Sequence, residues 1–178
     1  WLYRTSGCAE QPIVLYEYQP SRKTEHAEAF LKDFSGWLHA DGYQGYHKLP
    51  EKIRVVGCWA HVRRKFDEAL QTLPKDKRQG SPAAVGECYC TKLFQLEETL
   101  SELTAEERYT KRLELEKPVL DALLAWAEDA SVKTAPKSAL GKALHYTIMV
   151  RGCQSYLFFE RSANLTGNNI GRWFVERK

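Results

Sequence analysis

Three short blocks in the first third of the chain carry side chains able to do chemistry. Asp41-Gly42-Tyr43-Gln44-Gly45-Tyr46 puts a carboxylate at the end of an apolar run, where a turn opens it to a metal ion or a substrate. An Asp-Gly turn alone explains the first two residues; two glycines and two tyrosines within six positions are more than a turn requires. Cys58-Trp59-Ala60-His61 has the spacing of half a zinc site, yet no second Cys/His pair stands at finger-like distance. Cys88 and Cys90, one residue apart in a helical stretch, point in different directions. A buried Cys58 and a His61 hydrogen-bonded near a sheet edge are the simpler expectation. Arg63-Arg64-Lys65 spreads three cations around most of a helix, so positive charge stays in solvent whichever face packs. Such a cluster can meet phosphates, and it is equally consistent with a snorkelling flank of a packed helix.

The far end of the chain is polar and basic. Asn164-Leu165-Thr166-Gly167-Asn168-Asn169 reads as a loop or a helix cap, followed by Arg172, Trp173, Glu176, Arg177 and Lys178. His26, His39, His47 and His145 lack partners at useful spacing and carry no assigned role. The sequence holds no phosphate-binding glycine loop, no G-x-S-x-G and no catalytic Cys/His pattern.

Elements that would position these groups follow from periodicity. Ile13-Val14-Leu15-Tyr16-Glu17-Tyr18 is β-branched and aromatic and precedes Pro20, so it predicts a strand. Thr24 is placed to cap a helix carrying Ala27, Phe30, Leu31 and Phe34, which Gly36 would stop. Trp37–Ala40 and Ile53–Val56 read as further strands, the latter closed by Gly57. Asp41 is then expected at the rim of a central sheet, beside the strand entered at Ile13. The period changes after His61, where Val62, Phe66, Ala69 and Leu70 form a helical stripe. Ser81-Pro82 is an N-cap with proline at the first helical position, and Thr104-Ala105-Glu106-Glu107 has capping-box spacing. Helix resumes through Val119, Leu120, Leu123, Leu124 and Trp126, and once more from Pro136-Lys137-Ser138. A strand–helix–strand–strand start followed by about 80 all-helical residues predicts an α/β protein, a mixed sheet covered by helices.

The chain has 178 residues, 43% apolar and 28% charged, with five scattered cysteines. That composition excludes a disordered, collagenous or coiled-coil protein. It contains no apolar run long enough for a membrane span and no disulfide framework, which fits a reducing compartment. The absence of an initiator Met suggests a fragment or processed piece. The net charge of +3 is uneven: residues 1–66 hold 10 Lys/Arg and 7 Asp/Glu, 67–135 hold 9 and 14, and 136–178 hold 7 and 2. A basic–acidic–basic order marks off an acidic helical middle (67–135) that differs in character from the sheet-forming start (1–66) and the basic end (136–178). An ordinary solvated helical face also accounts for the acidic middle, but not for the basic ends.

Taken together, Tyr16-Glu17-Tyr18-Gln19-Pro20-Ser21-Arg22, Asp41-Gly42-Tyr43-Gln44-Gly45-Tyr46 and Gly57-Cys58-Trp59-Ala60-His61-Val62-Arg63-Arg64-Lys65-Phe66 resemble the catalytic domain of bacterial insertion-sequence family sixty-six transposases. Lys117-Pro118-Val119-Leu120-Asp121-Ala122 and Pro136–Leu144 resemble that family's helical segment, so the likeness covers nearly the whole chain. Cys58, His61, Asn168 and Asn169 are the family-motif positions.

The resemblance implies a ribonuclease-H-like fold with a helical insertion before the last catalytic residue. It also implies a DDE enzyme in which two Asp and one Glu hold two Mg²⁺ or Mn²⁺ ions for phosphoryl transfer. Asp41 matches the second Asp and a metal ligand; the first strand and first Asp would lie upstream of Trp1. An ungapped match of the Asn-Asn motif puts Arg172 where the Glu belongs, and Glu176 supplies it only with four inserted residues. Arg63, Arg64, Lys65 and Arg172 are the candidate phosphate contacts, with Arg151 and Arg161 as further ones. The implied partners are DNA, as element ends and target, and further copies of the intact enzyme; the implied location is the bacterial cytoplasm. With an incomplete triad, the isolated chain is expected to bind metal weakly and to be inactive, or to act as a DNA-binding or oligomerisation module.

Overall fold

The computed structural model describes residues 1–4, 13–41, 44–152 and 173–176. Short β-branched and aromatic runs form five strands: β1 (Leu2–Arg4), β2 (Val14–Tyr16), β3 (Gly36–Ala40), β4 (Ile53–Gly57) and β5 (Trp173–Glu176). They make one sheet in the order β2-β1-β5-β3-β4. β1 runs antiparallel to β2 and β5, whereas β3 runs parallel to β5 and β4. The sheet is therefore mixed, as the local pattern predicts.

Three details differ from the sequence reading. The Ile13–Tyr18 strand pairs only over Val14–Tyr16 and lies at the sheet edge, with β1 and β5 between it and β3. Asp41 is accordingly not beside that strand. Strand order is set by long-range pairing, and the pattern within a strand carries no record of its neighbour. Helix α1 (Thr24–Phe30) has Lys23, not Thr24, at its N-cap and no side-chain cap bond. Gly36 does not stop that helix, which ends at Phe30 with Leu31 as its C-cap, leaving Phe34 outside it. The Gly36 φ of 126° lies in a region that side chains rarely adopt, and the residue opens β3 opposite Ile53.

Helices follow from β4 onward: α2 (Trp59–Gln71), α3 (Pro82–Thr99), α4 (Ala105–Lys111), a π-helical turn at Arg112–Glu116, α5 (Lys117–Val132) and α6 (Ala139–Gly152). Their starts are written locally. The Ala84 N–H donates to Ser81 Oγ at 3.2 Å with Pro82 at the first position of α3. At α4 the Glu107 N–H donates to Thr104 Oγ1 at 3.3 Å while the Thr104 N–H donates to Glu107 Oε2 at 3.0 Å. Each cap satisfies backbone donors that the first turn leaves open.

Two apolar clusters hold the layers. Tyr3, Ala27, Leu31, Leu38, Ala40 and Ile53 join the sheet to α1, with the Tyr3 ring stacked on Phe30 at 3.7 Å. Trp59, Val62, Phe66, Leu93, Leu123 and Leu144 join α2, α3, α5 and α6. Fully burying a Leu or Phe side chain is worth about 1.5–3 kcal/mol, so the helical cluster stabilises its own packing. Gly57 links the two halves: a Cβ there would approach the Val150 side chain to 2.7 Å, so its absence lets α6 press on the end of β4.

Candidate functional site at the sheet rim

Asp41 is the residue immediately after β3 and is half-buried. Ala40 and Leu38 belong to the apolar cluster under α1, so alternation puts His39 and Asp41 on the opposite face. His39 is buried there, 2% exposed. The parallel register of β3 with β5 pairs Leu38 with Trp173, His39 with Phe174 and Ala40 with Val175. The next position on each strand is Asp41 and Glu176. The pairing ends at Ala40 with Val175, so each acidic residue stands one position past that last pair, at the same end of adjacent strands whose spacing is about 4.8 Å. Of the residues singled out in the sequence, this is the pair that tertiary structure brings together.

The helical layer reaches the same rim through α6. The phenol of Tyr146, on α6, donates a 3.0 Å hydrogen bond to the backbone carbonyl of Asp41. The Lys65 ammonium lies 5.1 Å from the centroid of the Tyr146 ring, a cation–π distance. Lys65 is therefore placed toward the Asp41 end of β3 through Tyr146. Sequence reasoning missed Tyr146, because nothing local marks a tyrosine whose partner is 105 residues away.

The Cys58-to-Phe66 block reads as a packing unit with a charged flank. Cys58 is the N-cap residue of α2 and is buried, as expected, without a side-chain cap bond. Trp59, Val62 and Phe66 enter the helical core. His61 is half-buried in the first turn. Arg63 and Arg64 are exposed, with the Arg63 guanidinium 5.6 Å from the centroid of Phe94 on α3. The Cys88 thiol is exposed, and burial pushes the Cys90 thiol up to about 12, so it is an inert core group. Arg151 is in the last turn of α6. Asn168, Asn169, Arg161 and Arg172 lie outside the described residues.

A second charged group was also missed. Arg112 is 1% exposed, and its Nε donates to Glu97 Oε2 at 2.8 Å while its Nη2 donates to Glu97 Oε1. Glu116 is fully buried beside Glu97. The available signal was spacing: Leu93-Glu97 and Arg112-Glu116-Leu120 run at four-residue steps along apolar stripes.

By residue type, Asp41 and Glu176 are of the carboxylate class whose hard oxygens Mg²⁺ or Mn²⁺ prefers. Two carboxylates are too few for a pair of ions. Among the described residues no group of three or more His, Cys, Asp or Glu side chains stands together. These residues do not fit a complete two-metal centre.

A mixed five-stranded sheet, interrupted between its fourth and fifth strands by a helical bundle and carrying an acidic residue at the rim, defines an α/β protein with an inserted helical layer. The chain belongs to the Transposase IS66 family, whose family model matches residues 1–170. It is 32% identical over 146 residues to uncharacterized protein y4jD of Sinorhizobium fredii, covering 77% of this chain and 27% of that protein. It is 29% identical over 185 residues to uncharacterized protein y4qI of the same organism, covering 97% of this chain and 33% of the relative. The chain spans roughly a quarter to a third of the length of these relatives. No solved structure matches it. Among the described residues, no helix is long and apolar enough to cross a membrane.

Proposed function

We propose that this chain is part of the DNA-processing core of an insertion-sequence transposase, with ribonuclease-H-like architecture, and that its ancestral chemistry is strand cleavage and strand transfer. Asp41 and Glu176 are its acidic site residues; Arg63, Arg64 and Lys65 are its phosphate contacts. The observation that supports this reading is the β3–β5 pairing, which ends one residue before Asp41 and Glu176 at the same rim of the sheet. The mixed sheet and the helical segment between β4 and β5 support the architecture.

Divalent cations bound in an intact centre would neutralise charge on the attacking and leaving oxygens. What this chain's own residues do is narrower. Tyr146 holds the Asp41 backbone, and the Arg63–Lys65 segment supplies fixed positive charge against a phosphate backbone. On this reading the isolated chain binds DNA without cutting it, so the binding-module alternative describes the fragment and the enzyme describes the longer protein. The reading also places the intact protein in the bacterial cytoplasm, as an assembly of several copies on DNA.

A nicking assay on supercoiled DNA with Mg²⁺ or Mn²⁺ tests the first part. The expected result is no cleavage by the chain; metal-dependent nicking that disappears in Asp41→Ala would overturn its inactivity. Titrations at increasing salt test the second. Affinity should fall steeply because bound cations release counterions from several phosphates, and a flat response would overturn the phosphate-contact assignment.

A further inference from the structure

The sheet edge farthest from β4 carries an aromatic surface that the core does not use. Tyr16 is 79% exposed and Tyr18 90% exposed, and Val14 is 50% exposed. Tyr16 and Tyr18 stand two residues apart at the C-terminal end of edge strand β2. Beyond them, Tyr18, Gln19, Pro20 and Arg22 line an open cleft of about 310 Å³. Arg22 and Lys23 are exposed beside it. Burying neither tyrosine stabilises the fold, and a contiguous exposed apolar patch on a sheet edge marks a contact surface.

The register connects this surface to the rim. Tyr16 pairs with Leu2, and Leu2 pairs with Glu176. On the next strand Asp41, like Glu176, follows the last β3–β5 pair, Ala40 with Val175, by one residue. Tyr16, Leu2, Glu176 and Asp41 thus form one row across four strands, and three strand spacings of about 4.8 Å give a run of about 14 Å. A few nucleotides bridge that distance.

We propose that Tyr16 and Tyr18, with Arg22 beside them, form a base-stacking platform for single-stranded DNA whose backbone continues along this row toward Asp41. This rests on the reading of the rim as a DNA-processing site. Unpaired bases expose their faces and stack on tyrosine rings whatever their sequence, while a cation next to the rings tracks the phosphates. A paired duplex hides those faces. Glu17 lines the same cleft and Lys23 pairs with Glu25, so Arg22, exposed in the cleft lining beside Tyr18, is the cation placed to meet a phosphate. β2 is only three residues long, a short template for strand pairing between copies.

The test is fluorescence anisotropy of a labelled oligothymidylate with the chain in EDTA, so that binding is read without metal at the rim. Tyr16→Ala and Tyr18→Ala are each expected to weaken binding about ten-fold, in line with the loss of one stacked base. Tyr16→Phe and Tyr18→Phe keep the ring and should bind like the parent chain. Both positions are exposed, so the variants should keep the parent's circular dichroism. A duplex of the same length should be unaffected by the alanine changes. Unchanged binding by the alanine variants overturns the platform, and so does equal loss in the phenylalanine variants. A dimer seen by light scattering and abolished by Tyr16→Ala would overturn it in favour of edge pairing between copies. If the chain binds DNA with a steep salt response but ignores these tyrosines, the platform alone fails. If it binds no DNA, the proposed function fails with it.

Discussion

The Tyr146 hydroxyl and the Asp41 carbonyl, 105 residues apart in the chain, are joined by a 3.0 Å hydrogen bond that ties the helical layer to the end of β3. Tyr146 is 7% exposed, and Lys65 sits over its ring. The bond gives the residue after a strand end a defined backbone position, which a free turn would lack.

Tyr146→Phe removes that bond and keeps the ring beneath Lys65. A typical intramolecular hydrogen bond contributes about 0.5–1.5 kcal/mol net, so the urea midpoint should fall by an amount equivalent to about 1 kcal/mol. An unchanged midpoint would mean that water replaces the phenol at Asp41 without loss.

The buried Glu97–Arg112 pair should be costly to break. Arg112→Met leaves the Glu97 carboxylate buried without its guanidinium, a situation that typically costs about 3–5 kcal/mol. The double variant Glu97→Leu with Arg112→Met removes both charges and should recover much of that loss. Equilibrium denaturation of the three proteins checks both expectations, and equal stability of the single and double variants would contradict them.

Glu116 makes stability depend on pH. Burial, then the adjacent Glu97 charge, push its carboxyl up to about 9, with Arg112 pulling the other way. An ordinary Glu titrates near about 4.3 when unfolded. Between those values the folded state binds more protons than the unfolded one. The stabilising contribution of this group is thus complete below about pH 4 and is lost as pH rises toward about 9. A protonated Glu116 can donate to the Glu97 carboxylate, which two ionised carboxylates cannot do. Glu116→Gln should flatten the decline between pH 5 and pH 9 and stabilise the protein near pH 8. Denaturation midpoints at several pH values measure this; a wild-type slope in the Gln variant would refute it.

Two glycines allow close approach for different reasons. A Cβ at Gly141 would run into the backbone carbonyl of Ala135 and the backbone of Pro136, which cannot swing aside. A Cβ at Gly86 would meet the ring of Phe66, a side chain that has some freedom to shift. Overpacking a filled site costs about 1–3 kcal/mol, so Gly141→Ala should lie at or above the top of that range and Gly86→Ala below it. Thermal melts of the two variants compare them, and the reverse order would show that the α6 start moves more easily than Phe66.

Local physics was legible in the sequence. The Ser81 and Thr104 caps depend on a hydroxyl and a neighbour three residues away, so the chain states them directly. The apolar stripe Val62, Phe66, Ala69 and Leu70 follows from helical period alone, and so does its exposed flank at Arg63 and Arg64. The strands at Trp37–Ala40 and Ile53–Val56 were equally readable, the first as a short apolar run between Gly36 and the Asp41-Gly42 turn, the second as a β-branched run closed by Gly57. The placement of Asp41 one residue past a strand came with them.

Neighbourhood was not legible. Whether Ile13–Tyr18 would lie beside Asp41 or at the far edge depends on β1 and β5 coming between them, and backbone pairing has no preferred partner in sequence. Glu176 was a carboxylate of uncertain use until the β3–β5 pairing set it at the same rim as Asp41. Glu97, Arg112 and Glu116 make the same point: each is an ionisable residue, and only the surrounding helices decide that they face one another instead of water. Sequence alone determined β3, β4, the main helices, the Ser81 and Thr104 caps and the family, since those depend on contacts a few residues long, but not β1, β5 or the cap of α1. Tertiary structure decided which acidic positions share the rim and which tyrosine holds it, because those relations join parts of the chain that approach only when the sheet and the helical layer have packed.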